Sequence, residues 1–229
     1  MLLNLDAGEH DDEPAELWRL ADVVCIACGG HAGDEASMRR VLAVARGVGA
    51  HPSYPDREGF GRRTIAMAVP DVTRAIAEQC ARLAALASVT YVKPHGALYH
   101  DANATLELAT ALVTGAVRAL GPAVIVIGPP RGRLREAAEA AGLRYLREGF
   151  ADRAVRGDGS LVPRTEPGAL VTDPALAAAR VKELAADHDT VCIHADTPGS
   201  LAIARAVRAA VDGLARGAAR MLDENERGT

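Results

Sequence analysis

The sequence predicts an α/β fold of seven βα units, closed or nearly closed into a parallel barrel, in a single domain spanning residues 1–229. Two observations predict it. Short β-rich runs alternate with longer Ala-, Leu- and Arg-rich stretches of helical period, and no internal repeat, low-complexity tract or Pro/Gly/Ser-rich linker interrupts the alternation. A doubly wound open sheet uses the same alternation and is the alternative.

The expected strands are Leu2 to Asp6, Val23 to Cys28, Val48 to His51, Val89 to Lys93, Val124 to Gly128, Leu143 to Glu148 and Thr190 to His194. Between and after them, helices are expected at Glu13 to Ala21, Asp34 to Arg46, Pro70 to Ala87, Thr105 to Leu120, Arg131 to Ala141, Pro174 to Asp187 and Pro198 to Leu222. Pro70-Asp71 and Asp173-Pro174 are helix-start signals, since proline fits the first helical turn and aspartate caps its free N–H groups. One long irregular stretch, Phe150 to Leu170, is rich in Gly, Pro, Asp and Arg, and long loops inside compact domains are more often functional than accidental.

The 229 residues are 49% hydrophobic and 24% charged, with a net charge of −4 and interspersed signs, so no basic footprint for nucleic acid exists. At this length a compact fold buries roughly 70–75% of its unfolded surface and needs no disulfide or structural metal for its core. No apolar run approaches a bilayer span and the first residues have no leader pattern, so a cytoplasmic protein without a membrane partner is expected. Of the four cysteines, Cys25-x-x-Cys28 has redox or zinc spacing. It lies at the end of an apolar strand with no second ligand pair, which favours a structural role.

Ligands of parallel α/β folds bind at the carboxyl ends of strands. Those ends carry Asn4, Asp6 and Glu9; Cys28 through Asp34; His51, Ser53 and Asp56; Lys93 and His95; Arg147, Glu148, Asp152 and Arg153; and His194 and Asp196. Five of the seven histidines (His31, His51, His95, His100, His194) fall at or just after such an end, whereas His10 and His188 read as loop and surface residues. Imidazoles and carboxylates converging on one rim suit general acid–base chemistry or a divalent metal. Asp6, His31 and His51 are the expected metal ligands if one binds, although contiguous ligand spacing is absent.

Lys93 and Lys182 are the only lysines against twenty-four arginines, so a lysine before Pro-His-Gly at a strand end is not surface filler. Gly29, Gly30 and Gly33 permit tight turns, and the helix that follows could face an anion. No P-loop, dinucleotide fingerprint, Gly-x-Ser-x-Gly elbow or His-Glu-x-x-His helix occurs, so hydrolysis would proceed through activated water, with Asp6, His51 or another rim residue as base.

The segments LNLDAGE, CIACGGHAGD, GAHPSYPDREGFGRR, VKPHGALYH, REGFADRAVRGDGSLVPRTEPGAL and VCIHADTPG follow in order from Leu3 to about Ala209. Together they resemble the LamB/YcsF family, whose members are the A component of prokaryotic 5-oxoprolinase. The resemblance implies a seven-stranded β/α barrel-like fold related to polysaccharide deacetylases. It also implies action with subunits B and C on 5-oxoproline, with ATP cleaved as the lactam opens to glutamate. ATP would then be bound by the partners.

By that resemblance, Asp6, His51, Lys93, His95, His194 and Asp196 are expected to handle water and protons, and Asn4, Glu9, Ser53, Arg62, Asp152, Arg153 and Arg164 to bind substrate. Guanidinium groups at Arg62, Arg153 or Arg164 suit the substrate carboxylate or a phosphorylated intermediate. The chain departs from the family pattern at Gly30, in place of a bulky aromatic, at Ala195, in place of glycine, at Cys25, in place of the usual asparagine, and in a shorter segment from Asp11 to Asp22. Two other readings stand beside this one: a self-sufficient metal-dependent deacetylase or amidohydrolase, and a non-catalytic component that only binds substrate.

Overall fold

The computed structural model describes residues 1–157 and 160–227. Seven parallel strands close into a barrel in chain order: β1 (Leu2–Ala7), β2 (Val23–Ala27), β3 (Val48–His51), β4 (Tyr91–Val92), β5 (Ile125–Gly128), β6 (Tyr145–Phe150) and β7 (Thr190–Ile193). Direct pairing of β1 with β7, Asn4 opposite Cys192, removes the open-sheet alternative. Asn4 Nδ2 reinforces the closure by donating to Thr190 Oγ1 at 2.8 Å, and that hydroxyl donates to the Leu2 carbonyl at 3.1 Å.

Around the barrel lie α1 (Ala15–Leu20), α2 (Glu35–Leu42), α3 (Val69–Ala84), α4 (Gly96–Ala104), α5 (Leu106–Leu120), α6 (Arg133–Ala140), α7 (Pro174–Leu184) and α8 (Ser200–Arg227). Asp34 stands outside α2 as its cap: its carboxylate accepts from the Ser37 N–H at 2.8 Å while the Ser37 hydroxyl accepts from the Asp34 N–H at 2.9 Å. Asp173 caps α7 in the same way, accepting from the Ala175 N–H at 2.8 Å. Glu13 is expected in α1 but precedes it, where its carboxylate gathers the N–H groups of Gly8, Glu9 and His10 and the Trp18 indole N–H. That tie holds the chain leaving β1.

The two-residue period of a strand sorts side chains into two cores. Leu3, Leu5, Val24, Ile26, Val126, Val191 and Ile193 face outward into the helices. Val23, Cys25, Ile127 and Leu146 form a separate apolar floor inside the barrel with Leu2, Tyr91 and Ile125. Above this floor the inward column turns polar, and Asn4, Lys93, Glu148 and Cys192 fill the lumen. Cys25 and Cys28 therefore serve different cores. All four cysteines are unpaired and buried, and burial pushes the Cys28 thiol up to about 12, which suits inert packing.

Helices α3 and α5 meet at Gly115, where an added Cβ would lie 2.7 Å from the Thr73 carbonyl oxygen and 3.0 Å from Ile76 Cβ. Alanine normally stabilises a helix interior over glycine by up to about 1 kcal/mol. Here overpacking opposes it at roughly 1–3 kcal/mol, so Gly115→Ala is expected to lower stability. Thermal unfolding checks this, since an unchanged or higher midpoint would mean that the two helices part without cost.

Candidate active site

The chain leaves each strand at the same end of the barrel, so β1, β3, β4, β6 and β7 deliver their last inward residues to one cavity of about 630 Å³. Its base is Lys93, whose side chain is 2% exposed and reaches up the lumen. The ammonium lies 2.6 Å from Asp6 Oδ1, 3.0 Å from Glu148 Oε1, 2.9 Å from Asn4 Oδ1 and 3.2 Å from Cys192 Sγ. Burial works against its charge, but the facing Asp6 carboxylate, with Glu148 behind it, holds the ammonium well above its ordinary range. For Asp6, burial favours the neutral acid, yet His51 and Lys93 outweigh it and hold the carboxyl well below the usual range. Both groups are charged at neutral pH.

Three imidazoles crowd the other side of Asp6. His51 Nε2 lies 3.3 Å from Asp6 Oδ2 and 3.1 Å from His95 Nδ1. His95 stacks on His31 with ring centroids 3.6 Å apart, and Glu9 Oε1 lies 2.8 Å from His31 Nε2 and 3.1 Å from His95 Nδ1. Burial pulls His31 down to about 3, so it is a neutral ring donating to Glu9. Burial opposes the charge of Glu9, but the hydrogen bond from His31 and the closeness of the His95 ring hold it well below the carboxylate range. His51 is held above its usual value because the Asp6 charge outweighs burial.

The loop 56–63 completes this side. Phe60 adopts φ 54°, a left-handed conformation unfavourable for a residue with a Cβ, and its carbonyl accepts from His95 Nε2 at 2.9 Å. At Gly61, with φ 63°, a Cβ would lie 2.9 Å from His31 Cβ and 3.0 Å from His95 Cδ2, so only glycine fits against the stacked pair. Ring stacking at 5.3 Å joins His10 to Phe60, which makes His10 a support of the site and not the bystander its sequence position suggests.

His194, leaving β7, is aimed by a buried carboxylate. Asp152 accepts from His194 Nδ1 at 3.0 Å, from the His194 backbone N–H at 2.8 Å and from the Thr197 hydroxyl at 2.6 Å. Burial pushes the Asp152 carboxyl up, but the His194 interaction and these donors more than offset it and hold it low. With Nδ1 as donor, Nε2 faces the cavity 3.9 Å from Asp6 Oδ2.

Arginines form the opposite wall. Residues 150–170 fold back through antiparallel bridges at Arg153–Leu170 and Val155–Leu161; Asp158 and Gly159 within that stretch lie outside the described residues. This loop brings Arg153 and Arg164 to the cavity, where they meet Arg62. Arg62 and Arg164 both pair with Asp196, at 3.1 and 2.9 Å, and Arg62 also lies over the Phe60 ring at 4.8 Å. Arg153 is buried, donates to the Val162 carbonyl at 2.8 Å, and keeps a buried Nε with no hydrogen-bond partner among the described residues. A buried guanidinium N–H without an acceptor is what an incoming oxyanion would satisfy.

The expected residues thus divide by position. Asp6, Glu9, His51, Lys93, His95, His194, Arg62, Arg153 and Arg164 line the cavity. Asn4 lies beneath Lys93, Asp152 behind His194, and Asp196 between two arginines. Ser53 turns away: its hydroxyl donates to the Tyr54 carbonyl, and its backbone is clamped by Gln79. The same Gln79 occupies the space above Gly30, where a Cβ would lie 2.2 Å from Gln79 Oε1. Gly30 is not among the residues that line the cavity. Glu148, Thr197, His10 and Phe60 are absent from the expected set; for Glu148 the signal was available, because Leu146, Glu148 and Phe150 share inward parity.

Among the described residues, two groups could hold a metal ion: Glu9 with His31, His51 and His95, and Asp6 with Cys192 and His194. The expected ligand set of Asp6, His31 and His51 is divided between them, because Asp6 is drawn toward Lys93 and away from His31.

The LamB/YcsF family profile matches residues 2–223. The chain belongs to the LamB/YcsF family. Among its relatives, proteins named as the A component of 5-oxoprolinase from Rhodopseudomonas palustris BisB18 and Methylococcus capsulatus are both 41% identical, over 91% and 90% of this chain and 93% and 90% of theirs. The namesake from Streptomyces griseus is 42% identical over 93% of this chain and 96% of its own. The crystal structure of a lactam utilization protein from Thermus thermophilus shares the family's barrel, with TM-score 0.83 and 34% identity over 94% of this chain and 97% of that one.

Proposed function

We propose that this chain is the A component of an ATP-dependent 5-oxoprolinase and contributes the site at which the pyroglutamate lactam opens to glutamate. The observation that carries the reading is the two-sided cavity, with carboxylates and imidazoles at Asp6, His51 and His194 facing guanidinium groups at Arg62, Arg153 and Arg164. An anionic lactam fits that polarity. Its carboxylate would satisfy the arginines, with the vacant Arg153 Nε–H foremost, while its amide faces the acid–base groups.

Opening the ring adds hydroxide from water to the carbonyl carbon, breaks the C–N bond and returns one proton to the nitrogen. Asp6, on the cavity wall beside His51, is placed to accept the proton from water, and His194, steadied by Asp152, to deliver one to the leaving nitrogen. An unstrained five-membered lactam is a stable amide, so forward reaction calls for coupling to ATP. We assign that nucleotide to the partner subunits B and C, in line with the relatives' designation as one component of a larger enzyme. Four unpaired thiols suit a reducing cytoplasm, and among the described residues no helix is long and apolar enough to cross a membrane.

The decisive experiment measures glutamate and phosphate released from 5-oxoproline and ATP by this chain alone, by B and C without it, and by all three together. Glutamate is expected only from the full mixture. Lactam opening or deacylation by the chain alone without ATP would replace this reading with a self-sufficient hydrolase. Arginine-wall variants that change substrate affinity, with acid–base variants that leave saturated turnover intact, would make it a purely binding component.

A further inference from the structure

We propose that His51, His95 and Glu9 form a divalent-metal site of zinc-type preference, open toward the cavity on its fourth side and supported from behind by His31. This does not rest on the lactam assignment, since metal binding is a property of the chain by itself.

Backbone carbonyls settle the tautomers. His51 Nδ1 lies 2.7 Å from the Lys93 carbonyl oxygen, and His95 Nε2 lies 2.9 Å from the Phe60 carbonyl oxygen. A carbonyl only accepts, so each of these nitrogens carries the proton, and in the neutral rings the lone pairs belong to His51 Nε2 and His95 Nδ1. Those two nitrogens face each other at 3.1 Å, with Glu9 Oε1 3.1 Å from one and 3.7 Å from the other. Two lone pairs and a carboxylate oxygen this close repel unless a cation lies among them.

The spacing suits a small tetrahedral ion. Metal–ligand bonds of about 2.0–2.2 Å place neighbouring donors of a tetrahedron roughly 3.3–3.6 Å apart. The three measured edges, 3.1, 3.1 and 3.7 Å, bracket that range. Two imidazole nitrogens and one carboxylate favour zinc and its neighbours over magnesium or calcium, which take oxygen donors.

His31 belongs outside the ligand set. Its ring is parallel to that of His95 within 4° at 3.6 Å, and parallel rings cannot both aim in-plane lone pairs at one ion. Its Nε2 instead donates to Glu9 Oε1 at 2.8 Å, which orients the carboxylate as such supports orient metal ligands elsewhere. Asp6 Oδ2, 3.3 Å from His51 Nε2, borders the open side and is placed to accept from a metal-bound water.

The alternative occupant is a single proton shared by His51 and His95. To separate the two, the chain is stripped with chelator, dialysed against zinc or cobalt(II), and its metal content measured. One zinc per chain is expected. His51→Gln and His95→Gln should each weaken binding by more than about 100-fold, and His31→Asn by roughly 10–100-fold with the stoichiometry kept. In the cobalt form of the unaltered chain, proton NMR should show two paramagnetically shifted exchangeable imidazole N–H signals, from His51 Nδ1–H and His95 Nε2–H. That readout needs no variant to fold. Less than about a tenth of an equivalent of metal, or cobalt bound without those two signals, would overturn the site and leave the shared proton in its place.

Discussion

Lys93→Met is expected to destabilise the chain by about 3–5 kcal/mol, the range for leaving one side of a buried ion pair uncompensated. For a domain of this size that corresponds to a fall of roughly 6–20 °C in the unfolding midpoint. Asp6 Oδ1 and Glu148 Oε1 lie 2.6 and 3.0 Å from the ammonium, and once it is gone His51, beside Asp6 Oδ2 at 3.3 Å, offsets only part of their charge. Because Lys93 is held above its ordinary value, its contribution is complete at neutral pH and is lost only as pH rises through that elevated value. Asp6 is held below its ordinary value, so its share is complete above the ordinary carboxylate range and is lost as pH falls through the depressed one. Removing Glu148 as well, in Lys93→Met/Glu148→Leu, should recover part of the loss, since one of the two carboxylates left without the ammonium is then gone and an apolar pair fills its place. A single variant as stable as the parent would show that water reaches this part of the lumen.

The second large effect is on turnover. Asp152→Asn keeps the size of the side chain but replaces an acceptor with a donor amide where three donors converge: the His194 ring, the His194 backbone and the Thr197 hydroxyl. At least one contact becomes donor against donor, and the imidazole loses the partner that fixes Nδ1–H. With B and C present, glutamate formation is expected to fall by roughly 10²–10⁴-fold, the scale of a lost general acid–base contribution, with the circular dichroism spectrum unchanged. A loss below about threefold would remove His194 from proton transfer.

All seven strands were legible because each is a short apolar run closed by a break in pattern, polar residues after six of them and Gly128-Pro129-Pro130 after β5, and even the brief Val48–His51 stands where its pattern put it. Helix α4 was not. Gly96 opens it directly after Pro94 and His95, and its buried residues Ala97, Leu98, Tyr99 and Ala102 do not keep to one stripe, because the helix is covered from several sides. It ends where α5 begins, at Thr105, so no gap marks the boundary. Helices α2 and α6 are shorter than their periodic stretches, and α8 is longer.

Legibility in the site follows the same physics. Residues at strand ends reveal themselves through parity and position, so the lumen lysine and the histidines of β3, β4 and β7 are readable from spacing alone. Supports that arrive from loops are not: neither the left-handed backbone of Phe60 nor the reach of Glu13 to three successive N–H groups has a periodic signature. The partition of Asp6 and His31 into different groups is likewise a matter of tertiary distances.

The pairing of β1 with β7 sets when this protein can become functional. Asp6 and His194 are separated by nearly the whole chain, yet they face one cavity, and the strands that carry them are neighbours. During synthesis the first six strands can at most line up as an incomplete sheet with two bare edges, and those edges invite pairing with other chains until Thr190–Ile193 emerges. Closing a loop of this length is slow on the scale of local folding. The closure that completes the barrel is therefore also the step that brings the proposed acid–base groups together, and a shortened product ending before β7 is expected to lack the activity proposed for them.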